Sequence, residues 1–121
     1  NSIVVENRFG ETTINRAQVV EGTEVFVTVV PSLDGNMLWE IAVNEGHTVV
    51  VLNESHEFYK RFYLSVGTSP ALIQAMDSMF WALANAELAS HSDVAKENFT
   101  ELRFCLSKDL GLLAHELPDV D

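Results

Sequence analysis

Residues 68–90 read TSPALIQAMDSMFWALANAELAS, and this segment decides how the rest of the chain must fold. Ser69 is a favourable N-cap and Pro70 suits the first helical position, so we predict that a helix begins there. Apolar side chains then recur at helical spacing and cover more than half of the circumference, so the helix needs cover on two sides. These positions are Leu72, Ile73, Ala75, Met76, Met79, Phe80, Leu83, Ala84 and Leu88.

The composition is typical of a globular protein. The chain has 121 residues, of which 47% are hydrophobic and 21% charged, which is enough for one domain with its own core. We therefore predict a single α+β domain over residues 1–121, with strands in 1–53 and helices in 54–117. Because the sequence does not begin with Met, we expect it to be a fragment of a longer protein.

The net charge is −11, from 18 acidic and 7 basic residues. Such a surface repels phosphate, which argues against direct nucleic acid binding. No apolar run reaches the ~18 residues of a membrane-spanning helix, so no membrane contact is expected. The single cysteine, Cys105, lies between Phe104 and Leu106 and is predicted to be a buried, inert thiol. One unpaired cysteine favours a reducing compartment, and we expect a cytoplasmic protein.

The first half of the chain predicts an antiparallel meander of about four or five strands. The clearest strand is 23–30, TEVFVTVV, in which Val25, Val27 and Val29 share one face. Asp34-Gly35 suits a tight hairpin, and the short loops favour antiparallel pairing. Strand 47–53 is apolar on both faces, as a central or helix-covered strand would be. The other predicted strands are 3–9, 12–20 and 37–43.

From Asn53 onward the apolar spacing is helical. Asn53 or Ser55 is predicted to cap a short helix, and Ser92 or Asp93 to cap the last one. The last helix is predicted to bury Ala95, Phe99, Leu102, Leu106, Leu110 and Leu113, and to expose Lys96, Glu97, Arg103, Ser107 and Lys108. We expect the two longest helices to form an antiparallel helical hairpin packed on the sheet, an α+β arrangement.

No motif for chemistry is recognisable. The four histidines are scattered, and the spacings typical of zinc sites, phosphate-binding loops and serine nucleophiles do not occur. The sequence therefore predicts no catalytic, cofactor-binding or metal-binding residues, and no enzymatic activity in this fragment.

Residues 49–63, VVVLNESHEFYKRFY, form the most distinctive local pattern. On physical grounds Asn53 ends a buried strand and bonds the next backbone amides, while His56, Phe58 and Tyr59 anchor the following helix. The segment also resembles a motif of bacterial and phage ATP-binding proteins of the GHKL superfamily, which includes gyrase B, Hsp90 and MutL. The matching positions are Leu52, Asn53, His56, Phe58, Tyr59 and Tyr63, with Glu57 where the motif has proline. This resemblance implies a C-terminal accessory domain of a larger ATPase, without the ATP site itself.

These features lead to the hypothesis of a non-catalytic interaction or dimerisation domain that binds a second copy or another protein. Met76, Phe80 and Trp81 are the candidate interface residues, because the central helix has more apolar surface than one sheet and one helix can cover. A monomer, in which the last helix and the sheet cover that surface, stays open. So do an acidic mimic of nucleic acid and a ligand-binding or enzymatic domain. The ligand pocket would be lined by Trp39, Tyr59, Tyr63 and His56.

Overall fold

The structure, a computed structural model, describes residues 3–7, 10–14, 16–20 and 23–118, with side chains from residue 25 to 118. The chain is an α+β protein with a mixed sheet and two long helices. The strands are β1 (Ile3–Asn7), β2 (Gly10–Ile14), β3 (Arg16–Val20), β4 (Thr23–Val30), β5 (Trp39–Asn44) and β6 (His47–Asn53). The long helices are α1 (Pro70–Leu88) and α2 (Asp93–Leu113), and a 3-10 turn (Asp34–Asn36) and a π-helical turn (Tyr59–Tyr63) lie in the connections.

The centre of the sheet is the three-stranded order β4-β6-β5, and this corrects the predicted antiparallel meander. β6 runs parallel to β4, with Phe26 opposite Val49, and antiparallel to β5. Consecutive strands β4 and β5 therefore do not pair, because β6 lies between them. The reason lies in β6 itself: all four residues from Val49 to Leu52 are buried, so this strand belongs at the centre. Asp34-Gly35 accordingly sits in a crossing connection and not in a hairpin.

The N-terminal strands differ from the prediction in their partners. The single strand expected at 12–20 is split into β2 and β3, which belong to different sheets. β1 and β2 form a two-stranded sheet, whereas β3 extends the central sheet by pairing with the outer edge of β4. Gly10, expected to end a strand, begins β2. The end of the first predicted strand, at residues 8–9, lies outside the described residues.

A two-residue turn joins β5 to β6. Glu45 and Gly46 have φ angles of 50° and 79°, and Asn44 pairs with His47 across the turn. Positive φ at both central residues is the geometry that matches the twist of a two-stranded ribbon, and it favours Gly at the second position. This turn fixes the register of β5 on β6.

Helix α1 begins where the sequence predicts and covers one face of the sheet. The Ser69 hydroxyl accepts a hydrogen bond from the Leu72 amide, and Pro70 is the first helical residue. The buried side of α1 packs against residues of β4, β5 and β6; this cluster contains Met76, Phe80 and Ala84 with Val25, Val27, Trp39, Val50 and Leu52. The opposite face of the sheet forms a second cluster with Leu33 and Met37, made of Phe26, Ala42, Val49 and Val51.

Helix α2 lies against β5, the outer strand of the sheet. The Leu38 amide, just before β5, donates to the Ser107 hydroxyl over 2.9 Å. A helix against an edge strand satisfies backbone groups that would otherwise recruit another chain. Ser92 is the N-cap, as predicted, and accepts from the Ala95 amide. Packing of α1 and α2 along their length as a hairpin stays a prediction.

The orientation of α2 about its own axis corrects the sequence prediction. Arg103 and Ser107, predicted to be solvated, are buried, whereas Leu102 and Leu113, predicted to be buried, are exposed. Cys105 is exposed, so the prediction that its thiol is buried is also wrong. The helix carries large apolar residues on several sides, so periodicity alone does not define its buried face. The buried face of α2 is defined by the polar contacts of Arg103 and Ser107.

Candidate functional site: a buried polar junction and an uncharged helix face

Asn53 joins three segments at the end of β6. Its backbone amide donates to the Leu38 carbonyl, and its side-chain amide donates to the Met37 carbonyl, each over 2.9 Å. Its side-chain oxygen accepts from the Ser55 amide over 2.8 Å. An asparagine that bonds the backbone two residues on is a typical turn former. The side chain therefore has a structural role, as the physical interpretation of this segment predicts.

His56 is fully buried between the π-helical turn and α2. The Phe58 amide donates to Nδ1 over 3.0 Å, so Nδ1 carries no proton. Nε2 then carries the proton and donates to the Ser107 carbonyl oxygen over 2.7 Å. Burial lowers the pKa of His56, although the bond to Ser107 acts in the opposite direction. The ring is thus held neutral in a single tautomer. The ring also packs closely on Gly111 of α2, where a Cβ would lie 3.4 Å from Nε2, at an ordinary van der Waals distance.

The aromatic residues of the same segment fill the space between the sheet and α1. Tyr59 and Tyr63 stack with ring centroids 4.6 Å apart, and Phe58 meets Phe80 edge to face. The Tyr63 hydroxyl donates to buried Asp77 of α1 over 2.9 Å. These contacts attach the π-helical turn to α1. Of the six motif residues, Leu52, Asn53, His56, Tyr59 and Tyr63 are buried and Phe58 is half-buried against the core.

A buried group of three charged side chains connects α1, α2 and β5. Arg103 of α2 donates to Glu40 of β5 over 2.6 Å and to both oxygens of Glu87 of α1 over 2.8 and 3.0 Å. Two-pronged pairing of guanidinium with carboxylate is the strongest form of such contacts. The sequence predicts none of these contacts, because the helical pattern assigns Arg103 to the solvated side of α2.

The four residues considered as the lining of a ligand pocket pack against the core and leave no open pocket between them. Trp39, Tyr59, Tyr63 and His56 are all buried, and they pack as core side chains where a pocket was expected. The Trp39 indole nitrogen is buried without a hydrogen-bond partner in the described part of the chain. In that part, too, no group of three or more metal-ligating side chains is present.

The three candidate interface residues differ in how deeply they are buried. Met76 and Phe80 are 8% and 1% exposed, so their apolar surface is already used in the protein's own core. Trp81 is half-buried, and its indole donates to the Thr48 carbonyl over 3.2 Å. These three positions therefore face the sheet. The outer face of α1 lies on other residues.

The outer face of α1 is free of charge. The two charged residues of this fully described helix, Asp77 and Glu87, are both buried. Its exposed positions carry apolar or neutral polar side chains, with Met79 49% exposed at the middle. A spacing of alternately three and four residues lines up Leu72, Ala75, Met79, Ala82 and Ala86, and we call this set the α1 stripe. Such spacing is typical of a seam between packed helices.

Comparisons with protein-family models, with curated proteins and with solved structures gave no match. Among the described residues, no helix is long and apolar enough to cross a membrane.

Proposed function

We propose that this chain is a non-catalytic interaction domain that self-associates through the α1 stripe. The observation that carries the proposal is the reversed charge distribution of α1, with its carboxylates inside and an uncharged apolar strip outside. A surface helix of a monomer normally shows the opposite arrangement. Contiguous exposed apolar surface on a folded domain is typical of interaction sites.

The net charge of the chain opposes self-association over most of its surface. Two molecules of net charge −11 repel each other wherever carboxylates meet. The exposed positions of α1 carry no carboxylate, so two copies approach there with least repulsion. Twofold pairing is also the commonest form of protein association.

The α1 stripe is complementary to itself in an antiparallel arrangement. With a twofold axis between Met79 and Ala82, each Met79 faces Ala82 of the second copy. Leu72 then faces Ala89, and Ala75 faces Ala86. Large side chains meet small ones in two of these layers, which allows the helices to approach closely. The antiparallel order also pairs opposite ends of the helix dipoles.

Sedimentation equilibrium across a range of concentrations tests the proposal. We expect the wild-type mass to rise towards twice 13.5 kDa and the Met79→Lys variant to stay at 13.5 kDa. Lysine at this exposed position places two like charges in the middle of the seam without disturbing the core. A wild-type protein that stays at the single-chain mass at every concentration contradicts self-association.

The matched control is Leu112→Lys, the same change at an exposed position on α2. This variant is expected to associate like the wild type. If Leu112→Lys becomes monomeric and Met79→Lys does not, the contact lies on α2 instead of α1.

We further propose, from the resemblance of residues 49–63, that the domain is an accessory part of a larger GHKL-type ATPase. The supporting feature is that Asn53, His56 and the aromatic residues form one packed unit between the sheet and α1. Dimerisation of an accessory domain would bring two ATPase regions together. A cytoplasmic location suits the single, exposed thiol of Cys105.

A further inference from the structure

The attachment of α2 to the rest of the molecule is mostly polar. Ser107 contacts both Leu38 and His56, and Arg103 contacts Glu40 and Glu87. Leu106 and Leu110 pack partly against the core cluster. Five large apolar side chains of the helix are exposed instead of packed; they are Val94, Leu102, Phe104, Leu112 and Leu113. Because little apolar surface holds α2 in place, its position depends on whether these polar contacts are made.

Only the neutral form of His56 can make both of its hydrogen bonds in this position. The neutral ring uses Nδ1 to accept from Phe58 and Nε2 to donate to Ser107. An added proton sits on Nδ1 and faces the Phe58 amide, so that two donors meet and one hydrogen bond is lost. The ring is 0% exposed, so water cannot solvate the new charge while α2 is in place.

The surrounding charges do not compensate a protonated His56. Glu57 and Lys60 lie on its own segment and pair with each other over 3.0 Å at the surface. Lys108 of α2 and His115, just beyond its end, line the same groove as Glu57. Glu57 attracts an imidazolium and Lys60 repels it, and burial outweighs both. The described contacts of the ring are backbone groups, and no carboxylate bonds it.

We propose that His56 is an acid-sensitive latch, whose protonation detaches α2 from the edge of β5. Detachment leaves the Leu38 amide without its Ser107 partner and uncovers the part of edge strand β5 against which α2 lies, where another strand can add. This inference is independent of self-association through α1, because the α1 stripe and the His56 contact lie on different elements.

The direction of the pH effect follows from the burial of the ring. Burial holds the folded-state pKa below the ordinary value of 6.5 that applies once α2 has detached. Docking of α2 is therefore fully favoured above pH 6.5 and weakens as the pH falls towards the folded-state pKa. With a detached-state pKa near 6.5, the equilibrium constant for detachment rises at most about 30-fold between pH 7.5 and pH 5.0.

Amide hydrogen exchange, corrected for the intrinsic effect of pH, measures this change segment by segment. We expect protection of α2 to fall, by at most about 30-fold between pH 7.5 and 5.0, and by more than protection of α1 and β6, which is expected to fall less than about threefold. The variant His56→Gln offers an acceptor to Phe58 and a donor to Ser107 but does not titrate. In this variant the loss in α2 is expected to be below about threefold.

Three results overturn the proposal: unchanged protection of α2 in the wild type, equal loss in α1, or equal loss in His56→Gln. The last of these results would place the acid sensitivity in the contacts of Arg103 with Glu40 and Glu87. Should His56→Gln fail to fold, nitrogen NMR of the wild-type ring decides. The pH at which α2 loses protection must then follow the titration of His56, and a separation of more than one pH unit contradicts the latch.

Discussion

The outer surfaces of α1 and α2 differ in charge, although both helices expose large apolar side chains. On α1 the exposed Leu72 and Met79 have no charged neighbour on the helix. On α2 the exposed Phe104 and Leu112 are mixed with charged residues, namely Asp93, Lys96, Glu97, Glu101, Lys108 and Asp109. Scattered apolar residues among charges are ordinary on a protein surface. The two outer surfaces therefore differ in where their charges lie, and this difference favours α1 over α2 as the proposed contact face.

The buried sides differ as well. α1 buries a continuous apolar surface around Phe80 and Ala84, with Asp77 bonded to Tyr63. α2 buries an arginine and a serine, and its apolar contribution is partial. Packing therefore holds α1, whereas hydrogen bonds and ion pairs hold α2. Three substitutions test this difference, from the largest expected effect to the smallest.

Arg103→Ala should be the most damaging change on α2. It leaves the carboxylates of Glu40 and Glu87 buried and without their shared cation, and breaking a buried pair in this way costs about 3–5 kcal/mol. Urea denaturation measures the loss. Lys96→Ala, an exposed change on the same helix, should stay within about 0.5 kcal/mol of the wild type. A loss below about 1 kcal/mol for Arg103→Ala would mean that packing, and not the ion pairs, holds α2.

Tyr63→Phe tests the polar contact of α1. Removing the hydroxyl deletes its hydrogen bond to Asp77 and is expected to lower the free energy of unfolding by about 1–2 kcal/mol. In Asp77→Asn the side-chain oxygen can still accept from Tyr63, so a smaller loss is expected from urea denaturation. A larger loss in Asp77→Asn would show that the charge of Asp77 matters more than this bond.

Gly111→Ala should slightly stabilise the protein. The new Cβ would lie 3.4 Å from His56 Nε2, an ordinary contact, and alanine is favoured over glycine in a helix by about 0.5–1 kcal/mol. Thermal unfolding is the measurement. Gly46→Ala is the contrasting variant, since a φ of 79° disfavours a side chain and the same substitution should lower the Tm. A lower Tm for Gly111→Ala would mean that the His56 contact admits no extra atom.

Much of the local structure follows from the sequence alone. Strands 23–30 and 47–53 have the predicted bounds, and α1 begins after Ser69, because alternation, turn residues and caps are local signals. The parallel pairing of β4 with β6 is not a local property. β6 is apolar on both faces, as a central strand is, and it lies between two strands that are consecutive in the chain.

The site was harder to predict than the fold. The buried role of Asn53 and the anchoring role of His56 were predicted, because a polar side chain at the end of a buried strand needs backbone partners. Arg103 was assigned to solvent because its partners, Glu40 and Glu87, are 63 and 16 residues away. The α1 stripe was missed because an apolar helix shows no preferred face until the sheet selects one.

The position of β6 between β4 and β5 also constrains the order in which the sheet forms. The β5–β6 ribbon needs only its own two-residue turn and forms from neighbouring residues, whereas β6 meets β4 across more than 20 residues, with Phe26 opposite Val49. Closing that longer loop costs more entropy and is the slower event. The β5–β6 ribbon is therefore expected to form first and to pair with β4 afterwards. The surface that α1 covers is complete only after this second pairing.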